Sequence, residues 1–226
     1  MIDYRLYLVT DDPSRYAGNW LDNVVAAVEG GVTCVQYRDT ESPRQIQYER
    51  ILQLRDAIGK TPIIVNNDAE LAAAVKAEGV HVGQNDMPVD EVRAIVGSDC
   101  EIGLSITDLS QLAALPVGTA LPRHGERSSG GGADCLGIGP VFDARKTKAD
   151  ASEAMGVDGL AEILSDLRAS SRRDFVELRR TVAIGGITLA NAPEVLATGV
   201  GGFAVVSAFS KAADPFSVAR AFRNLF

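Results

Sequence analysis

Eight short runs of apolar, largely β-branched residues recur along the chain, and a stretch with helical spacing follows most of them. The runs are Arg5–Thr10, Val32–Arg38, Pro62–Asn67, Gly79–Gly83, Glu101–Ile106, Cys135–Val141, Thr181–Ile187 and Gly202–Ala208. Most are continuously apolar rather than alternating, as a strand buried on both faces requires. Alternation of strand and helix implies parallel pairing, because each helix returns the chain to the same end of the sheet. An open doubly wound sheet accommodates the same alternation. Eight units in 226 residues favour closure. The expectation is an α/β protein, a (β/α)8 TIM barrel, with residues 1–226 forming a single domain.

The intervening helices carry their own start signals. Ser42-Pro43 reads as a cap and a first-turn proline before a helix whose apolar face includes Ile46, Ile51, Leu54 and Ile58. Pro88 opens another, with Val89, Val92, Ile95 and Val96 at helical spacing and Gly97 as its stop. Asp214-Pro215 begins the last, along which Phe216, Ala219, Phe222 and Leu225 form one stripe. An apolar fraction of 46% supports a substantial core. The net charge of −8 argues against a nucleic-acid surface, which needs a basic face, but leaves room for a small cationic phosphate pocket. No apolar run is long enough to span a membrane, and Met1–Arg5 begins no signal peptide, so a cytoplasmic location is expected. Cys34, Cys100 and Cys135 are scattered in apolar segments without metal-ligand spacing and read as reduced core residues. A homo-oligomer is left open.

Two segments interrupt the rhythm. Residues 115–133, rich in glycine and proline, precede the sixth strand and are assigned to the bottom of the barrel as a mobile, non-catalytic loop. Residues 142–156 follow that strand, so they belong to the top face, where barrel enzymes place their chemistry. They contain Arg145, Lys146 and Lys148.

Polar residues gather at the strand ends. Gln36 and Arg38 are two apart and share one side of the second strand, giving an amide and a guanidinium fork suited to a diphosphate. An ion pair of Arg38 with Asp11, Asp12 or Asp39 is the structural alternative. Asn66-Asn67-Asp68 ends the third strand, where an Asx turn or a helix cap is an equal reading. Asp86, after the fourth, fits either a helix dipole or a Mg²⁺ ligand. Ser105, at the end of the fifth, is placed to donate to a phosphate oxygen. With His81 and His124 the only histidines and no base beside Ser105 in sequence, a Ser–His nucleophile is not expected. Gly185-Gly186, then Val206-Ser207 one helix later, give the strongest signal, matching the phosphate site that recurs after strands seven and eight of such barrels, with ordinary glycine turns as the lesser alternative.

Taken in order, Leu6–Asp11, Val35–Asp39, Gly79–Met87, Gly103–Ser105, Gly137–Phe142, Thr147-Lys148, Ala183–Ile187 and Val205–Ala208 resemble the thiamine-phosphate synthase family over nearly the whole chain. That resemblance implies a transferase of thiamine biosynthesis. Its reaction joins hydroxymethylpyrimidine diphosphate to a thiazole phosphate, giving thiamine phosphate and pyrophosphate. Diphosphate departs with the help of Mg²⁺, and the thiazole nitrogen attacks the pyrimidine-methyl cation left behind. Carried over by position, Gln36, Arg38, Asn66, Ser105 and Lys148 are similar to the ligands of the pyrimidine diphosphate, with Arg38, Ser105 and Lys148 in the catalytic roles. Asp86 and Asn67 stand at the metal positions, and Thr147, Gly186, Val206 and Ser207 form the thiazole-phosphate cradle.

Three positions depart from the family pattern. Thr40 replaces a lysine, Asn67 replaces an aspartate, and Asp143–Lys146 replaces a shorter run that carries a threonine. Arg145 or Lys146 is the candidate to supply the missing cation. Retention of the pyrimidine ligands argues against a thiazole tautomerase-like paralogue. Thr40 and Asn67 leave room for a barrel that binds thiamine precursors without turning them over.

Overall fold

A computed structural model describes residues 1–114, 132–144, 152–169 and 178–226. Eight strands form its centre: β1 (Leu6–Val9), β2 (Cys34–Tyr37), β3 (Ile63–Asn66), β4 (Gly79–Val82), β5 (Glu101–Ile106), β6 (Cys135–Ile138), β7 (Thr181–Ile184) and β8 (Gly202–Val205). Every neighbouring pair is parallel, and β8 pairs with β1, so the sheet closes into a barrel in sequence order. Around it lie α1 (Trp20–Glu29), α2 (Arg44–Ile58), α3 (Ala69–Ala74), α4 (Val89–Val96), α5 (Leu109–Ala114), α6 (Gly156–Ala169), α7 (Ala192–Ala197), a short α8 (Ser207–Ser210) and α9 (Pro215–Arg223). The open-sheet alternative is therefore excluded. None of the described helices is long and apolar enough to cross a membrane.

Alternate residues of each strand serve two cores. Leu6, Leu8, Val35, Tyr37, Ile63, Val65, Phe203 and Val205 face outward and pack against the helices. Tyr7, Val9, Cys34, Ile64, Cys135, Val182 and Ala204 form a separate cluster within the barrel. This two-sided burial is why the strands read as unbroken apolar runs. The three cysteines are free and buried. Burial pushes the Cys34 and Cys135 thiols well above the ordinary range, which keeps them protonated and inert.

Several local expectations change. The strands are shorter than the apolar runs, and β6 ends at Ile138, just before Gly139-Pro140. Pro43 itself occupies the cap of α2, its carbonyl accepting from the Ile46 and Gln47 amides, while the Ser42 hydroxyl accepts from Arg50 instead. Asp214 caps α9 through the Ser217 amide, as its position implies. Ile51, Leu54, Ile58, Ala219 and Phe222 are buried, whereas Ile46, Phe216 and Leu225 of the expected apolar faces stay exposed. Residues 115–131 of the glycine-rich segment lie outside the described residues.

The lower end of the barrel is closed by charge. Glu101, 4% exposed, accepts from the Ile2 amide, the Tyr4 hydroxyl and Arg180. Arg180 also donates to the Asp134 carbonyl, and the Asp134 carboxylate accepts from Arg93 and the Ile102 amide. Buried carboxylates persist only when paired in this way.

Candidate active site

At the opposite end, the strands open into a cavity of about 260 Å³, near the lower limit of small-molecule sites. Gln36, Arg38, Asn66 and Ser105 line it together with Gly186, Val206 and Ser207. Residues drawn from β2, β3, β5 and the ends of β7 and β8 are thus brought to one place.

Gln36 points into the barrel, and its Nε2 donates to the Tyr7 hydroxyl at 2.7 Å. Burial holds the Tyr7 phenol well above its ordinary pKa, so it remains a neutral partner that fixes the amide's orientation. Arg38 is anchored through its backbone, which exchanges hydrogen bonds with the Thr10 hydroxyl. The carboxylates that offered it an ion pair are engaged by others. Asp39 takes Arg50 at 2.6 Å, while Asp11 and Asp12 take Arg15. The Arg38 guanidinium makes no hydrogen bond or ion pair among the described residues, and it borders the cavity.

Asn67 and Asp68 have separate tasks. Asp68 caps α3 through the Leu71 amide and accepts from Arg44 at 2.6 Å, so it is committed to structure. Asn67 is exposed and adopts φ 59°, a left-handed conformation that asparagine tolerates. It lines a shallow depression with Asp39, Thr40, Asp68 and Met87, and Asn66 borders both that depression and the main cavity. Thr40 is tied to Asp12, whose carboxylate accepts its amide at 3.0 Å. Asp86, half-buried, accepts from the Gly83 amide at 2.7 Å. Neither Asp86 nor Asn67 lines the main cavity itself.

Gly185 and Gly186 have φ 102° and 63°, and added Cβ atoms would stand 2.6 Å from Pro140 and 2.7 Å from Phe142. Glycine is therefore required there for packing on the chain leaving β6, whatever ligand the backbone meets. Val206 caps α8, and Ser207 is its first residue, giving the short extra helix that follows β8 in phosphate-binding barrels. Thr147 and Lys148, with Arg145 and Lys146, lie outside the described residues.

Tyr7, Lys211 and His81 are among the cavity residues to which the sequence reading gave no site role. Nothing in the sequence around Tyr7 sets it apart from a core aromatic. Lys211, one residue past α8, reaches the cavity rim although its sequence context is an unremarkable surface helix. His81, from β4, places Nε2 3.0 Å from Ser105 Oγ, so a Ser–His contact exists that separation by 24 residues concealed.

These features define a (β/α)8 barrel with a polar cavity at the C-terminal ends of its strands, the architecture of an enzyme acting on small phosphorylated compounds. Residues 6–209 match the family described as thiamine monophosphate synthase. The chain is 39% identical over its full length to thiamine-phosphate synthase of Chloroflexus aurantiacus, of which it covers 94%. It is 41% identical to that of Laribacter hongkongensis, over 97% of this chain and 94% of the relative. Among solved structures, thiamine phosphate pyrophosphorylase from Pyrococcus furiosus superimposes with a TM-score of 0.75 at 30% identity, covering 99% of this chain and 95% of that one. The chain belongs to the thiamine monophosphate synthase family.

Proposed function

We propose that the barrel joins hydroxymethylpyrimidine diphosphate to a thiazole phosphate, releasing pyrophosphate and forming thiamine phosphate. Family membership supplies the reaction. The observation that carries its placement is the convergence of Gln36, Arg38, Asn66 and Ser105 with Gly186, Val206 and Ser207 on one cavity. In this reading Gln36, oriented by Tyr7, meets the pyrimidine ring. Arg38 offers its fork to the diphosphate, and Ser105 donates to a diphosphate oxygen. The backbone at Gly186 and the start of α8 receive the thiazole phosphate, with Lys211 as the cation at that rim.

Charge on the departing diphosphate is the quantity to be stabilised, so fixed donors serve better than a protein nucleophile. Lys148 and Thr147 belong to the same scheme by resemblance. The donor set fits Mg²⁺: Asp86 offers a carboxylate and Asn67 an amide oxygen, both hard ligands. No group of three or more His, Cys, Asp or Glu that could hold a metal occurs among the described residues. Diphosphate oxygens and water would complete the shell, as is usual for this ion. When bound, Mg²⁺ would neutralise charge on the leaving diphosphate. Asn67 lacks the charge of an aspartate, so this chain holds the ion less tightly than the family pattern would.

Purified protein mixed with both substrates and Mg²⁺ should release pyrophosphate and thiamine phosphate in equal amounts. Binding of the pyrimidine diphosphate without either product would overturn the reading in favour of a non-catalytic barrel.

A further inference from the structure

The imidazole of His81 occupies a slot built for it. On the neighbouring β5, a Cβ at Gly103 would stand 2.2 Å from its Nδ1, and on β6 a Cβ at Gly137 would stand 2.9 Å from its Cε1. Gly103 pairs with His81 in the sheet, and Gly137 pairs with Ser105. Two adjacent strands therefore give up their inward side chains to admit one ring. The ring borders the cavity, and its Nε2 reaches Ser105 Oγ at 3.0 Å. From the same end of β4, Gln84 Nε2 donates to the Ser105 carbonyl at 2.6 Å. The hydroxyl and the carbonyl of Ser105 are thus held from β4 and the residues just after it.

A serine hydroxyl rotates freely unless a neighbour fixes it, and it can donate only one proton. If that proton were spent on the imidazole, Ser105 would face a substrate oxygen with lone pairs alone. We propose that His81 is a positioning residue. Its Nε2–H donates to Ser105 Oγ, which turns the hydroxyl proton into the cavity toward a diphosphate oxygen. The inference rests on the function proposed above for Ser105, and it assigns His81 no contact with substrate and no proton transfer. The effect grows as negative charge accumulates on the departing group, so it falls more on kcat than on KM.

A double-mutant cycle tests it, read by pyrophosphate affinity in calorimetry and by steady-state turnover. Ser105→Ala should lower kcat about a hundredfold, and His81→Ala about tenfold. The double variant should be no worse than Ser105→Ala alone, because His81 acts only through that hydroxyl. His81→Gln, whose amide can reach the same Oγ, should recover most of the loss. Gly103→Ala should impair the parent by crowding the ring yet cost nothing further in the His81→Ala background, where its methyl enters the vacated slot. Losses that multiply in the double variant would overturn the proposal, as would a His81→Gln protein that melts like the parent and is as slow as His81→Ala. A parent that binds pyrophosphate but makes no thiamine phosphate would defeat the functional reading alone, and the binding cycle would still judge His81. A parent that does not bind pyrophosphate would defeat both.

Discussion

Replacing Arg180 with methionine should destabilise the barrel severely while leaving its chemistry intact. Arg180 and Glu101 are each 4% exposed, and their charged groups lie 3.3 Å apart. Glu101 would keep the Tyr4 hydroxyl and the Ile2 amide, but among the described residues its one remaining ion-pair partner is the amino terminus at 3.9 Å. Removing one partner of such a pair costs about 3–5 kcal/mol, chiefly because the other charge stays buried. For a domain of this size each kcal/mol lowers Tm by about 2–4 °C, so the expected drop is roughly 6–20 °C. Arg180→Met with Glu101→Gln should regain more than half of it, since the neutral amide needs no counter-charge. Thermal unfolding followed by circular dichroism measures the effect. Steady-state turnover at 25 °C should match the parent, because none of these residues borders the cavity. A Tm within about 2 °C of the parent, or no recovery in the double variant, would refute the charge argument. A fall in kcat would show that the base of the barrel and its site are coupled.

Asn67→Asp should lower the Mg²⁺ concentration needed for half-maximal rate by about tenfold, because a carboxylate replaces a neutral oxygen; titration of the rate with Mg²⁺ reads it directly. Lys211→Ala should raise KM for the thiazole phosphate about tenfold, the worth of one charge-assisted hydrogen bond, with KM for the pyrimidine diphosphate unchanged. Burial alone would raise the Asp39 carboxyl, but donors from Ser42, Glu41 and Tyr37 overcome it and hold the group below its ordinary 3.8. Its native value is thus lower than its unfolded one. The stabilisation is complete above 3.8 and is lost as pH falls through the native value. Asp39→Asn should therefore flatten the acid side of the stability–pH curve, and an unchanged slope would count against this assignment.

What was legible in the chain is what local periodicity encodes. Gln36 and Arg38 reveal their shared side by being two apart, and Asp214 reveals its cap by preceding a proline and an apolar stripe. The barrel follows from counting strands that must be covered on both faces. Hidden were the partnerships between neighbouring strands. His81 meets Ser105 only because β4 and β5 pair with His81 opposite Gly103, and no spacing rule links positions on different strands. Glu101 and Arg180 are 79 residues apart and look like an ordinary strand start and an ordinary surface arginine. The glycine at 103 reads as a weak strand residue until the ring beside it supplies the reason.

The same distinction bears on Thr40 and Asn67, two of the departures that the resemblance implies. Thr40 and Asn67 border an open depression, and Asn67 is exposed, so a change there alters charge without disturbing packing. Gly103, Gly137, Gly185 and Gly186 each have an atom within 3.0 Å of where a Cβ would stand, so a change there must move a ring or a backbone first. On the function proposed above, substitution at the depression changes metal and diphosphate binding, whereas at the glycines it changes packing. Restoring Thr40→Lys and Asn67→Asp should accordingly change Mg²⁺ and diphosphate affinity while leaving Tm within about 2 °C, whereas Gly186→Ala should lower Tm by more than that. Equal effects on Tm at the two places would remove the basis for treating them separately.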